Sequence, residues 1–264
     1  MDREERTLVA AHRGTDGRMP ENGLESIRQV TATTNGLVEL DVATSSDGVL
    51  FLHHDDTLDR TTTGTGPADI PWSELRELSL RDAAGRVTAQ RIARLDEVLD
   101  WAEGRAILEL DIKQGTRYDD VAAILAEKSA GGRVVVIAYT LAQARLMASK
   151  FPDSMISATI RSTDDLEALV AAGVPKSRLL AWTGNDAPDP DLYRALDEAG
   201  VEVIFGTLGG RDSFDERIAR SGEDETYAAL GRDGVDILAT DRPVEASEAL
   251  RAGGRSGDGA CPLP

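Results

Sequence analysis

Short apolar runs alternate with helical repeats along almost the whole chain. Runs rich in β-branched and aliphatic residues occur at 8–11, 37–42, 49–52, 106–112, 134–139, 155–160, 179–182, 203–207 and 235–240. Between them, apolar positions recur at helical spacing over 24–34, 95–103, 119–129, 141–150, 164–173, 191–199, 214–230 and 244–251. Asp164 and Asp165 are placed to cap the start of one helix, and Gly173 closes it. Alternating strands and helices predict a parallel sheet covered by helices. About eight such units in a chain of this length predict a closed (β/α)8 TIM barrel. An open doubly wound sheet is the runner-up. No internal repeat interrupts the pattern.

Two stretches break the rhythm. Residues 55–94 separate a strand from a helix without a clear period, a length that suggests a small insertion after the second strand. Residues 253–264 are Gly-rich and predict a disordered tail. Residues 1–252 then form one barrel domain.

The 264 residues carry 29 Lys and Arg against 47 Asp and Glu, a formal net charge of −18. Nucleic acid and anionic membrane surfaces repel such a chain. An anionic small molecule remains open, because a bound cation inverts the local field. No apolar run is long enough to cross a membrane. The charged start, Met1 to Arg6, does not resemble a signal peptide. The expected location is cytoplasmic, with export after loss of a leader as the alternative. The one cysteine, Cys261, allows no intrachain disulfide and no thiolate metal site. The sequence leaves the oligomeric state open.

The chemistry concentrates at strand ends. His12, His53 and His54 are the only histidines, and each follows an apolar run. The C-terminal strand ends of a barrel carry its active site, and imidazole suits proton transfer near neutrality. Alternation lets only one of His53 and His54 face inward. Arg13 beside His12 suits a phosphate. Glu39 and Asp41 share one face of a strand, and so do Glu109, Asp111 and Lys113. Several inward acids with few cations call for a metal, with buried salt bridging as the alternative. An all-oxygen set favours Mg2+ or Ca2+, with Mn2+ also suitable, over zinc. These groups read as metal-assisted chemistry on an anionic substrate. Gly64-Thr65-Gly66 is only a weak match to a phosphate loop.

The ordered motifs Ala11-His12-Arg13-Gly14, Pro20-Glu21-Asn22, Val38-Glu39-Leu40-Asp41-Val42, Asp47-Gly48 and His54-Asp55-Asp56-Thr57-Leu58-Asp59-Arg60-Thr61-Thr62 resemble the glycerophosphodiester phosphodiesterases. Asp111-Ile112-Lys113 is similar to the family's Glu-x-Lys, and residues 234–243 to its closing strand. The resemblance implies a barrel with an insertion after the second strand. It also implies metal-dependent hydrolysis of a glycerophosphodiester to glycerol 3-phosphate and an alcohol. By that resemblance His12 and His54 are the general acid and base. Glu39, Asp41 and Asp111 are the metal ligands, and Arg13 and Lys113 the phosphate contacts. His53 has no role and faces away.

Three departures stand out. Asp111 replaces the family's Glu, with Glu109 a less favoured substitute. Gly23 follows Asn22 where the family has Thr. The seventh strand ends Phe205-Gly206-Thr207 without the family's Trp-Thr pair, which occurs one strand earlier as Trp182-Thr183. Competing readings are a lysophospholipase D or sphingomyelinase-D-like lipid phosphodiesterase, an inositol phospholipase C-like enzyme that releases a cyclic phosphate, and a binding protein without activity.

Overall fold

The computed structural model describes residues 6–255. Its strands are β1 (Leu8–Ala11), β2 (Gly36–Thr44), β3 (Leu50–Leu52), β4 (Ser79–Arg81), β5 (Val87–Arg91), β6 (Ile107–Ile112), β7 (Val134–Ala138), β8 (Met155–Thr159), β9 (Leu179–Trp182), β10 (Glu202–Gly206) and β11 (Ile237–Thr240). Its helices are α1 (Leu24–Thr33), α2 (Trp72–Leu75), α3 (Leu95–Ala102), α4 (Tyr118–Glu127), α5 (Leu141–Lys150), α6 (Thr163–Ala171), α7 (Pro190–Glu198), α8 (Phe214–Ser221), α9 (Glu225–Arg232) and α10 (Pro243–Ala252).

Eight parallel strands run in the order β1, β11, β10, β9, β8, β7, β6, β2, and β2 pairs back to β1. That last pairing closes the sheet into a (β/α)8 barrel and excludes the open doubly wound alternative. Closure demands a close approach at Gly36. Its backbone has φ of +155°, and a Cβ there would lie 1.8 Å from the Val9 carbonyl oxygen. Alternation along the strands divides the apolar residues between two cores. Leu37, Val135, Leu180, Ile204 and Ile237 fill the barrel interior. Val38, Leu40, Leu108, Leu110, Val136 and Leu238 point outward under the helices.

Three readings of the pattern change. The run at 49–52 contributes β3, which pairs antiparallel with β2 and stands outside the barrel. The helical stretch at 214–230 is two helices. Gly222 takes a left-handed conformation, φ 76°, and its N–H bonds the Ile218 carbonyl, ending α8. α6 is capped by Ser162, whose side chain accepts from the Asp165 N–H; Asp164 and Asp165 lie in the first turn.

The segment between β3 and α3 holds α2 and the β4–β5 hairpin. Phe51, Leu58, Leu75, Leu80 and Ile92 give it a small core of its own. At the other end of the chain, the Arg255 carbonyl accepts from the Thr7 N–H at 2.8 Å. The remainder of the expected tail, 256–264, and the charged start, 1–5, lie outside the described residues. No helix among the described residues is long and apolar enough to cross a membrane.

Candidate active site

β2 and β6 run side by side with Glu39 opposite Glu109 and Asp41 opposite Asp111. Their inward faces therefore bring four carboxyls into one space. An oxygen from each of Glu39, Asp41 and Asp111 lies within 4.8 Å of the others, and Glu109 is outside that set. Glu39, Asp41 and Glu109 are buried. Three hard oxygen donors this close suit a divalent cation such as Mg2+ or Ca2+.

Lys113 continues β6 and places its Nζ 2.9 Å from both Asp41 Oδ1 and Asp111 Oδ2. Asn22 holds Asp41 from the other side. Its Nδ2 donates to Asp41 Oδ2 at 2.8 Å, and the Asp41 N–H donates to Asn22 Oδ1 at 3.0 Å. Burial opposes ionisation of Asp41, but Lys113, Asn22 and nearby His54 outweigh it and hold the carboxyl below its ordinary range. At Glu39, burial and the charge of Asp41 prevail over the Arg13 N–H, which donates to Oε2 at 2.8 Å, and push its carboxyl up.

The histidines arrive by different routes. His12 starts the turn that follows β1, and its Nδ1 lies 2.6 Å from Asp241 Oδ1, just beyond β11. The Gly209 N–H donates to the other Asp241 oxygen at 3.0 Å. Burial acts to raise the Asp241 carboxyl, but the bond and charge of His12 hold it low. His54 is not at the end of a barrel strand. β3 doubles back along β2, and the His53 N–H donates to the Asp41 carbonyl at 3.0 Å. This reversal sets His54 beside Asp41. His54 Nδ1 lies 2.7 Å from Asp55 Oδ1. Asp55 is held by Arg60, whose hydrogen bonds, with those of His54, keep its carboxyl low against burial. In both histidines Nδ1 carries the carboxylate contact, which leaves Nε2 for the cavity. His53 turns away: its Nε2 lies 3.0 Å from the Thr57 carbonyl and its ring stacks on Phe51.

Arg13 is the least direct placement. Its Nη1 donates to Glu21 at 3.1 Å and its Nε lies 3.7 Å from Asp41 Oδ2. Arg60 binds the same Glu21 carboxylate at 2.7 Å with two nitrogens. Arg13 therefore borders a groove beside the cavity together with Met19, Glu21 and Arg60.

His12, Glu39, Asp41, His54, Glu109, Asp111 and Lys113 all line one cavity of about 250 Å³ at the C-terminal ends of the strands. Its remaining wall is mixed: Ile137, Ala138 and Tyr139 at the end of β7, Ser157 and Thr159 from β8, and Trp182, Leu208 and Ala239. Trp182 covers Gly206, where a Cβ would lie 2.5 Å from the indole Cη2. The aromatic wall is thus supplied from β9, over the gap left by Gly206 on β10.

A profile of the glycerophosphoryl diester phosphodiesterase family matches residues 12–208. The chain belongs to that family. A crystal structure of a glycerophosphoryl diester phosphodiesterase from Parabacteroides distasonis superposes with a TM-score of 0.86 and 32% identity, over 94% of this chain and 87% of that one. A glycerophosphodiester phosphodiesterase of Caldanaerobacter subterraneus is 34% identical over 113 residues, 42% of this chain and 46% of the relative. Human glycerophosphodiester phosphodiesterase 1 is 43% identical over 76 residues, 28% of this chain. The matched stretches span 46% and 23% of those two relatives' own lengths.

The phosphodiesterase motifs contain Asn22, Asp55, Arg60 and Asp241, but sequence reasoning assigned them no contacts. Asp55 pairs with its neighbours His54 and Arg60, but Asn22 meets Asp41 19 positions away and Asp241 meets His12 229 positions away, pairs that no local pattern announces.

Proposed function

We propose that this chain hydrolyses glycerophosphodiesters to glycerol 3-phosphate and an alcohol. The observation that carries the reading is one cavity holding two histidines, each with Nδ1 tied to a carboxylate, beside three converging acids. The names of the relatives support the same substrate class.

Glu39, Asp41 and Asp111 would hold a divalent cation, Mg2+, Ca2+ or Mn2+. When bound, it supplies Lewis-acid neutralisation of a phosphoryl oxygen. Lys113 adds a positive charge at the same place, and Arg13 approaches from the groove side. His12 acts as base through Nε2, taking a proton from the attacking water, or from the glycerol 2-hydroxyl, in which case the alcohol leaves a cyclic phosphate that water opens in a second step to glycerol 3-phosphate; Asp241 holds the ring and stabilises the imidazolium. His54, oriented by Asp55, protonates the departing alkoxide. General acid–base catalysis of this kind contributes ~10²–10⁴-fold.

A coupled assay for glycerol 3-phosphate tests the reading, with glycerophosphocholine and glycerophosphoethanolamine as substrates. Release with Mg2+, Ca2+ or Mn2+ is expected, with loss in EDTA and a fall of ~10²–10⁴ in His54→Ala. No release with any metal would overturn it. Tyr139, which lines the cavity, and Leu141, which starts α5 two residues later, are exposed, at 56% and 46%. These exposed groups favour a second reading, a lysophospholipase D or sphingomyelinase-D-like activity, and a parallel arm with lysophosphatidylcholine measures it.

A further inference from the structure

Glu109 is a buried carboxyl that the reaction above does not use. It sits one inward position below Asp111 on β6, only 3% exposed, yet it lines the cavity. Ser157, itself 2% exposed, lies beside it on β8. Besides burial, the groups that act on it are Ser157, Asp111 and His12. Beneath it, Ile107, Leu37, Val135, Leu180 and Ile204 close the barrel interior. A buried carboxyl with unused acceptor capacity is unfavourable unless a donor reaches it. Its oxygen is not in the converging set of Glu39, Asp41 and Asp111.

The space above this floor has two characters. Glu109, Ser157 and Thr159 bring polar groups to it, with Ile137 of β7 between the first two, and Trp182, Leu208 and Ala239 bring apolar surface. A polyol presents the same two characters, hydroxyls on one edge and C–H groups on the other. A phosphoryl group is drawn to Lys113, two inward positions above Glu109. The volume, about 250 Å³, falls below the ~300–1,000 Å³ range of drug-sized pockets.

We propose that Glu109, presented with Ser157 at the closed floor, accepts hydrogen bonds from the free hydroxyls of the glycerol moiety and so selects deacylated glycerophosphodiesters. The proposal rests on the phosphodiesterase reading. It orients the substrate with glycerol inward, phosphate at Lys113 and the alcohol outward. An acyl chain on a glycerol hydroxyl removes a donor and meets the closed floor.

The test uses Glu109→Gln and Ser157→Ala, each checked for native circular dichroism. Two diesters are compared, glycerophosphocholine and bis(p-nitrophenyl) phosphate, which has no glycerol. The ratio of their kcat/KM values is expected to fall about 10–100-fold in Glu109→Gln, mostly through KM, and less in Ser157→Ala. Calorimetric titration with glycerol 3-phosphate is expected to weaken by a similar factor, a readout that needs no turnover. An unchanged ratio and unchanged binding would overturn the proposal. So would a parallel loss on both diesters with weakened Mn2+ binding by electron paramagnetic resonance, which would place Glu109 at the metal. Absence of turnover in the wild type would count against the phosphodiesterase reading alone, with the binding arm still deciding the role of Glu109.

Discussion

Each histidine of the cavity is oriented by a carboxylate, but the two carboxylates differ in what else they serve. Asp55 is shared with Arg60, which in turn binds Glu21 and so reaches Arg13. Among the described residues, the side-chain oxygens of Asp241 meet His12 and the Gly209 N–H. Its negative charge is therefore more available to an imidazolium at His12, which suits that residue to the base role. Asp241→Asn replaces the acceptor with an amide that cannot offset the charge. The expected outcome is a fall in kcat on the order of 10²-fold with a smaller change in KM, read from steady-state kinetics on glycerophosphocholine. A loss confined to KM would contradict this role for Asp241.

At the scale of elements, the mouth of the barrel is braced by a carboxylate that touches no cavity atom. Asp215, in the first turn of α8, is 2% exposed. Its oxygens accept from the Tyr227 hydroxyl at 2.7 Å, the Thr240 hydroxyl at 2.9 Å and the Asp241 N–H at 2.7 Å. α8, α9 and the end of β11 are thereby fastened together, and Asp241 is fixed where His12 meets it. Asp215→Ala strands three donors in the interior. A loss of about 3 kcal/mol is expected, or roughly 6–12 °C in Tm, measured by calorimetry. Activity below the transition falls too, because the His12 partner loses its support. A variant of full stability would mean that water replaces the carboxylate at no cost.

At the scale of the whole molecule, a buried acid makes stability sensitive to pH at the end of the barrel away from the site. Asp236 precedes β11, and its Oδ2 accepts from the Val203 N–H at 2.7 Å. Burial, with nearby Glu202, pushes its carboxyl up to about 7 from the ordinary 3.8. The folded protein therefore binds this proton more tightly than the unfolded chain. The associated stability is complete below about pH 4 and is lost as pH rises to about 7. Asp236→Asn keeps an acceptor for Val203 and removes the charge. It is expected to stabilise by about 1–2 kcal/mol at pH 8, after solvent screening, and by less at pH 5. Denaturant melts at the two pH values check this, and equal shifts at both would refute it.

Local periodicity was enough to read the barrel, because the two-residue alternation of a strand and the turn-by-turn spacing of a helix are properties of short segments. It also placed Glu39 with Asp41 and Glu109 with Asp111 on shared faces. The separation of the long helical stretch at Gly222 was less legible, since apolar spacing continues across the break and only the left-handed turn ends α8. Tertiary structure alone decided the rest. β1 meets β2 because the sheet curls until its edges pair, a long-range event that no segment encodes. The reversal of β3 carries His54 to Asp41, and the ring closure brings Asp241 to His12 across 229 positions. Arg13 reads as a free phosphate contact along the chain, whereas in the fold Glu21 holds its guanidinium. Glu109 and Asp111 are alike in residue chemistry and strand face. One inward step separates them: Asp111 converges with Glu39 and Asp41, and Glu109 remains on the floor beside Ser157. Residue types and their spacing name the groups that can react, while register and closure settle which of them share a cavity.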